Sequence, residues 1–149
     1  MINTKKVKVP LNILFADDDA DDRFFFDKAL KEIDISTQLI TVNDGQLLMN
    51  HLCENCESLP DVLFLDLNMP CKNGYECLSE IKQNKRLKDI PVIVFTTSCP
   101  SDSVVMLFKV GAQDFVRKSS DFEQLKLVIH QALIRAIAKS SYNKEVSSL

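Results

Sequence analysis

The chain is expected to form an α/β domain, with a parallel sheet covered by helices on both faces. Two observations lead there. Short apolar runs alternate with longer segments of helical period: Ile13-Leu14-Phe15-Ala16, Val62-Leu63-Phe64-Leu65, Val92-Ile93-Val94-Phe95 and Phe115-Val116-Arg117. Runs this short and this apolar fit strands buried on both sides. Each run also leads directly into a residue capable of chemistry: Asp17-Asp18-Asp19, Asp66, Thr96-Thr97-Ser98 and Lys118. Strands that alternate with helices run parallel through right-handed crossovers. The four followers therefore gather at the carboxyl edge of the sheet, where open α/β sheets bind ligands.

The elements follow in order. Lys5 to Ala16 reads as the first strand, with Pro10 near its start. The first helix begins near Ala20, capped by Asp19, with Asp21 and Asp22 placed favourably for the helix dipole. Phe26, Ala29, Leu30 and Ile33 form its apolar face. Leu39 to Val42 is a short strand, and Asn43-Asp44-Gly45 turns into a helix over Gln46 to Cys53. Pro60 introduces a strand over Val62 to Asp66. A loop, Asn68 to Asn73, leads to a helix from Gly74 to Asn84 that buries Leu78 and Ile81. Pro91 opens the fourth strand. Pro100-Ser101-Asp102 starts the fourth helix and Gly111 ends it. The fifth strand is Phe115 to Arg117. The fifth helix has the clearest apolar stripe: Phe122, Leu125, Ile129, Ala132, Leu133 and Ala136.

Composition narrows the possibilities. The chain has 149 residues, 46% of them hydrophobic, enough for one domain with a real core. Its net charge of -3 argues against nonspecific nucleic-acid binding, which needs a basic surface. No apolar run reaches the ~18 residues of a membrane span, and the N-terminus lacks a signal-type segment. A cytoplasmic location is expected. Five cysteines at irregular spacing do not form a disulfide framework. Cys53-Glu54-Asn55-Cys56 has no second ligand pair to complete a zinc site. Residues 139–149 are polar and are expected as a frayed tail behind a domain over 1–138.

The converging residues point to phosphoryl chemistry on a hard cation. Two carboxylates ~4 Å apart at an effective dielectric of ~20 repel by roughly 4 kcal/mol. Asp17, Asp18 and Asp66 together need a cation or a proton. Oxygen ligands select a hard ion, Mg2+ first among them. Asp66, alone at the tip of the middle run, is the candidate nucleophile for an aspartyl phosphate. Thr96 and Lys118 are placed to meet phosphoryl oxygens. Singly, each residue has a plainer reading. An acidic triplet before a helix is commonly a cap, a strand-end Asp caps a turn, and a lone lysine is solvated. The joint order of acids, Asp, Thr and Lys at successive strand ends carries the inference.

These residues resemble the response-regulator receiver domains of two-component signalling. The matching stretches are Ile13 to Asp19, Asp66-Leu67-Asn68-Met69-Pro70 with Asn73-Gly74, Pro91 to Thr96, and Gly111 to Lys118. The resemblance implies a flavodoxin-like (βα)5 fold with strand order 2-1-3-4-5. It implies Asp66 as phosphoacceptor, and Mg2+ held by Asp17, Asp18, Asp66 and the Asn68 backbone carbonyl. Thr96 and Lys118 would bind the phosphoryl group, and Phe115 would be the aromatic switch residue. A histidine kinase or histidine phosphotransfer protein would supply the phosphate. A downstream protein would read the face made by the fourth helix, fifth strand and fifth helix. With no room for a DNA-binding module after the fifth helix, a stand-alone regulator is expected, acting by partner binding or phosphate relay. It would not be an enzyme beyond its own phosphorylation and dephosphorylation.

Two positions depart from the family pattern. Receivers commonly carry proline after the lysine, often with a cis peptide, whereas Ser119 follows Lys118 here. A cis bond before a non-proline residue costs ~2.5–4 kcal/mol, so the loop is trans or strained. The switch aromatic is Phe, with no hydroxyl. In the fourth helix Val104, Val105, Met106, Leu107, Phe108 and Val110 are apolar nearly all round. That fits either a deeply covered helix or a docking face through Val105 and Phe108. Phe24 and Phe25 pose the same question for the first helix. Two rival functions remain: a haloacid-dehalogenase type phosphohydrolase using Asp17-x-Asp19, and a receiver-like module that never uses phosphate.

Overall fold

The computed structural model describes residues 9–97 and 99–147, and for 141–147 the backbone course alone. The expected strand start at Lys5 to Lys8, Ser98, and the tail residues Ser148 and Leu149 lie outside the described residues. Five strands and five helices alternate: β1 (Leu11–Ala16), α1 (Ala20–Glu32), β2 (Thr37–Val42), α2 (Gly45–Glu54), β3 (Val62–Leu65), α3 (Gly74–Gln83), β4 (Val92–Thr96), α4 (Ser101–Val110), β5 (Asp114–Arg117) and α5 (Phe122–Ser147). The sheet is parallel throughout and ordered β2-β1-β3-β4-β5, as expected.

Alternate side chains of the strands feed two apolar layers. Leu14, Ala16, Leu63, Leu65, Val92 and Val94 pack against α2, α3 and α4. Ile13, Phe15, Val62, Phe64, Ile93 and Phe95 pack against α1 and α5. Strands covered on both faces must be apolar at every position, which is why β1, β3 and β4 were legible as unbroken runs. Phe15, Phe26, Phe64 and Phe95 form one aromatic cluster, with Phe15 stacked on Phe26 at 4.1 Å and Phe95 edge-on to Phe15 at 5.7 Å.

The differences from expectation have local causes. β1 begins at Leu11, whose N–H donates to Ser36 O at 2.9 Å; Pro10 has no N–H to extend the ladder. β2 begins at Thr37, two residues earlier than its apolar content implied. As an edge strand it is half solvated, so its pattern carries little signal. The polar segment after residue 138 is not frayed up to Ser147 but continues α5. No Gly or Pro occurs after Gly111, so nothing in the chain breaks that helix. The deeply covered reading of α4 does not hold. Only Leu107 is buried among its apolar residues, while Val105 and Met106 are 54% and 55% exposed. Among the described residues no helix is long and apolar enough to cross a membrane. All five cysteines are free thiols.

The loop after β3 is pressed between two glycines. A Cβ on Gly74 would overlap the Asp66 carbonyl oxygen and come within 2.7 Å of Leu67 Cα. A Cβ on Gly45 would overlap the Lys72 carbonyl. Gly74 N–H also donates to Leu67 O at 2.9 Å. At the loop's tip Cys71 has φ 68°, closed by a 2.7 Å bond from Lys72 N–H to Pro70 O. A non-glycine residue there is strained and persists only because its surroundings hold it. Gly74→Ala must displace the backbone at Asp66, so we expect a stability loss of ~1–3 kcal/mol, read as a lower urea midpoint at unchanged slope.

Candidate functional site

β1 and β3 are adjacent, so the residues that follow them leave the sheet side by side. Asp17, Asp18 and Asp66 offer oxygens that all lie within 4.8 Å of one another, the one such metal-capable group among the described residues. Asp17 is fully buried and Asp66 nearly so, whereas Asp18 is exposed. Asp17 Oδ1 accepts from Asp19 N–H at 2.9 Å, and its backbone carbonyl accepts from the Arg23 guanidinium at 2.8 Å. Those bonds fix the turn between β1 and α1. Asp19 caps α1 as expected, with Oδ1 accepting from Asp21 and Asp22 N–H at 2.8 and 3.2 Å.

Lys118 comes in from the end of β5. Its N–H donates to Thr96 O at 2.9 Å, which continues the β4–β5 ladder by one residue. Every described peptide bond is trans, Lys118–Ser119 included. The ammonium sits 2.6 Å from Asp17 Oδ2, 2.8 Å from Asp22 Oδ2 and 3.5 Å from Asp66 Oδ1. The Asp17 contact is an ion pair without hydrogen-bond geometry, and Oδ2 has no other partner. Asp22 is a member of this pocket that the sequence reading treated only as a favourable first-turn acid. The signal for it was slight: one acid a single helical turn beyond the acids at the tip of β1. Arg23 was missed entirely, since nothing in sequence links a helix arginine to a carbonyl before its own helix.

Burial dominates the electrostatics. It pushes Asp17 up to about 6, in spite of the Lys118 ammonium and the Asp19 N–H. The sign for stability follows. A carboxyl whose folded pKa is raised destabilises the fold as pH climbs from the unfolded value near 3.8 through about 6. Asp66 is also raised by burial, with Lys118, the Asn68 backbone and Thr96 opposing. Burial works against the Lys118 ammonium, but Asp17 and Asp22 outweigh it and hold it charged well above the usual lysine range. A full complement of anionic oxygens is thus tolerated only with more positive charge than one ammonium supplies. Hard oxygen donors with excess negative charge fit a divalent cation.

The remaining predicted residues take up their places around this centre. Thr96 is fully buried as the last residue of β4, near enough to Asp66 to favour its anion yet without a well-formed hydrogen bond. A buried hydroxyl without a partner costs free energy and needs a reason. Asn68 is exposed, two residues beyond Asp66. Phe115 stands apart from the acids. It is half-buried on the α4 side of the sheet, paired with Val94 in register, with the Arg117 guanidinium 5.5 Å from its ring. Asp19 is occupied in capping, which leaves the Asp17-x-Asp19 phosphohydrolase without its second acid.

Comparison with known proteins identifies the family and the fold. The family model described as "Response regulator receiver domain" matches residues 13–130. Response regulator Rcp1 of Synechocystis sp. is 37% identical over 120 residues, covering 78% of this chain and 82% of its own. Among solved structures, the phosphorylated cyanobacterial phytochrome response regulator RcpA is 31% identical with a TM-score of 0.76, covering 83% of this chain and 91% of RcpA. A Mn2+-bound form of Rcp1 is 36% identical with a TM-score of 0.74, over 82% and 91% of the two chains. Neither the phosphohydrolase nor the phosphate-independent reading is favoured beside these matches. Family, fold and pocket therefore lead to the same place: this chain belongs to the response-regulator receiver domains, phosphoacceptors that act with histidine kinases in two-component signalling.

Proposed function

We propose that Asp66 is the phosphoacceptor, that Mg2+ is the working cation, and that phosphorylation is read on the α4–β5–α5 face. The observation that carries this is the nearly buried Asp66 carboxylate facing a buried ammonium and an unpartnered buried hydroxyl. An Asp66 oxygen attacks the phosphorus of a phosphohistidine. The phosphorus–nitrogen bond breaks, and the imidazole leaves with the electron pair. The donor is a histidine kinase or a histidine phosphotransfer protein.

Asp17, Asp18, Asp66 and the Asn68 backbone carbonyl would hold the cation. When bound it neutralises charge on one phosphoryl oxygen and offsets the repulsion among the acids. Lys118 donates to a second oxygen as a charge-assisted partner. Thr96 donates its free hydroxyl to a third. Thr96 moves toward the new anion, and Phe115 turns into the space left behind. Moving such an equilibrium from 1:99 to 99:1 needs ~5.5 kcal/mol of differential interaction. Two charge-assisted contacts and the neutralising charge of a bound cation would be of that order.

The readout face follows from exposure. Val105, Met106, Phe108 and Val110 of α4 are each at least 40% exposed, an apolar surface suited to a protein partner. That favours partner switching over simple relay. The chain acts on no external substrate; it catalyses its own phosphorylation and dephosphorylation, in the cytoplasm.

Three outcomes are expected. With a small phosphodonor and Mg2+, intact mass shows one phosphoryl adduct, absent in Asp66→Asn; multiple turnover of an external phosphate ester would favour a hydrolase instead. The apparent Mg2+ affinity, measured by calorimetry, falls ~10-fold per pH unit below about 6, because the ion must displace the Asp17 proton. A flat profile would remove Asp17 from the ligand set. Thr96→Val leaves the metal-free, unphosphorylated protein as stable or up to ~1 kcal/mol more stable, since an unsatisfied hydroxyl is lost. The same variant loses most of the added thermal stability that a beryllofluoride phosphoryl mimic confers on the parent.

A further inference from the structure

The Lys118 ammonium has three carboxylate neighbours, and they differ in what else is asked of them. Asp17 Oδ2 at 2.6 Å and Asp66 Oδ1 at 3.5 Å both belong to the oxygen cluster that can share a cation. Asp22 Oδ2 at 2.8 Å does not belong to it. A cation taken up by Asp17 would compete with the ammonium for that carboxylate and would repel it as well. Asp66 changes character when it is phosphorylated. Asp22 is the one of the three that lies outside the oxygen cluster and carries no phosphoryl group in the proposed reaction.

The surroundings give that bond weight. The Lys118 side chain is 9% exposed and the Asp22 side chain 37%. Both line a cavity of about 250 Å3 walled by Phe25, Phe95 and Phe122 on one side and by Asp21, Ser119 and Ser120 on the other. Phe95 lies 5.9 Å from the ammonium. Without Asp22, an ammonium released from Asp17 would face these rings or turn outward toward Asp21 and the two serines, away from Asp66. Asp22 is also well anchored: its N–H is held by the Asp19 cap, and it lies in the first turn of α1. Rigid placement of one partner reduces the entropy lost in holding a long lysine chain.

We infer that Asp22 is a positioning residue, which keeps the Lys118 ammonium beside Asp66 while the cation occupies Asp17, so that both positive groups reach the phosphoryl oxygens together. This rests on the phosphoacceptor reading of Asp66 for its purpose, but the placement of the ammonium can be measured without phosphate.

The test follows the Lys118 ammonium resonance by nitrogen-15 NMR, with and without saturating Mg2+, in the parent protein, Asp22→Ala and Asp22→Glu. The parent keeps a slowly exchanging signal in both states. Asp22→Ala keeps it without metal, where the ion pair with buried Asp17 still confines the ammonium, and loses it on Mg2+ addition; Asp22→Glu restores it. A signal in Asp22→Ala that survives Mg2+ overturns the inference. In parallel, Asp22→Ala slows phosphorylation by a small phosphodonor ~10-fold, one charge-assisted contact's worth, and adds nothing in a Lys118→Ala background. Equal slowing in that background also overturns it, because Asp22 would then act by another route. If the NMR pattern appears while the parent forms no adduct, Asp22 holds the lysine as inferred and the phosphoacceptor reading fails instead.

Discussion

One ammonium set among four carboxylates is the constraint on which the carboxyl edge of this sheet depends. Asp17, Asp22 and Asp66 all lie within 3.5 Å of Lys118 Nζ, and Asp18 borders the same cluster. Burial makes the charges of Asp17, Asp66 and Lys118 costly to keep. The result is a pocket under electrostatic tension: Asp17 pushed up to about 6, Asp66 raised, Lys118 held firmly protonated, and the Thr96 hydroxyl buried without a partner. The proposed divalent cation and phosphoryl anion would answer these tensions with opposite charges.

Everything beneath the pocket serves to hold its members still. The strands that deliver Asp17, Asp66 and Thr96 are buried on both faces, and their penultimate layer is the packed ring cluster of Phe15, Phe64 and Phe95 with Phe26 from α1. Close packing of that kind transmits small displacements instead of absorbing them. The Asp66 loop is fixed from the other side by Gly74, whose missing Cβ lets α3 start against the Asp66 carbonyl, and by the capping box between Asn73 and Glu76. Packing is looser toward β5 and α4, where Phe115 is half-buried and the apolar side chains of α4 stay largely uncovered. A rigid centre beside a loosely covered edge is the arrangement a two-state switch needs.

Much of this was legible in the primary structure. The strand runs, the αβ alternation and the grouping of Asp17, Asp18, Asp66, Thr96 and Lys118 at one edge followed from buried parallel strands ending in polar residues, while the order of the sheet came from the family resemblance. These features are local in sequence, or become so once the topology is assumed. The edges were less clear. β2 is half solvated, so its start at Thr37 left no apolar signature. The length of α5 was missed because polar composition was taken for fraying, although the chain contains nothing that ends a helix there.

Sequence alone thus determined which chemical groups stand at the tips of the strands, because the period of burial marks where each strand ends. Only the tertiary structure decided how those groups share one another. It settled that Lys118 reaches the acids over a trans peptide, that Asp22 joins them, that Asp19 is occupied as a cap, and that the apolar side of α4 faces outward. The physical reason is that ion pairing and exposure depend on distances of a few ångströms between residues as far apart in the chain as Asp17 and Lys118. No pattern along the chain encodes such distances until packing fixes them.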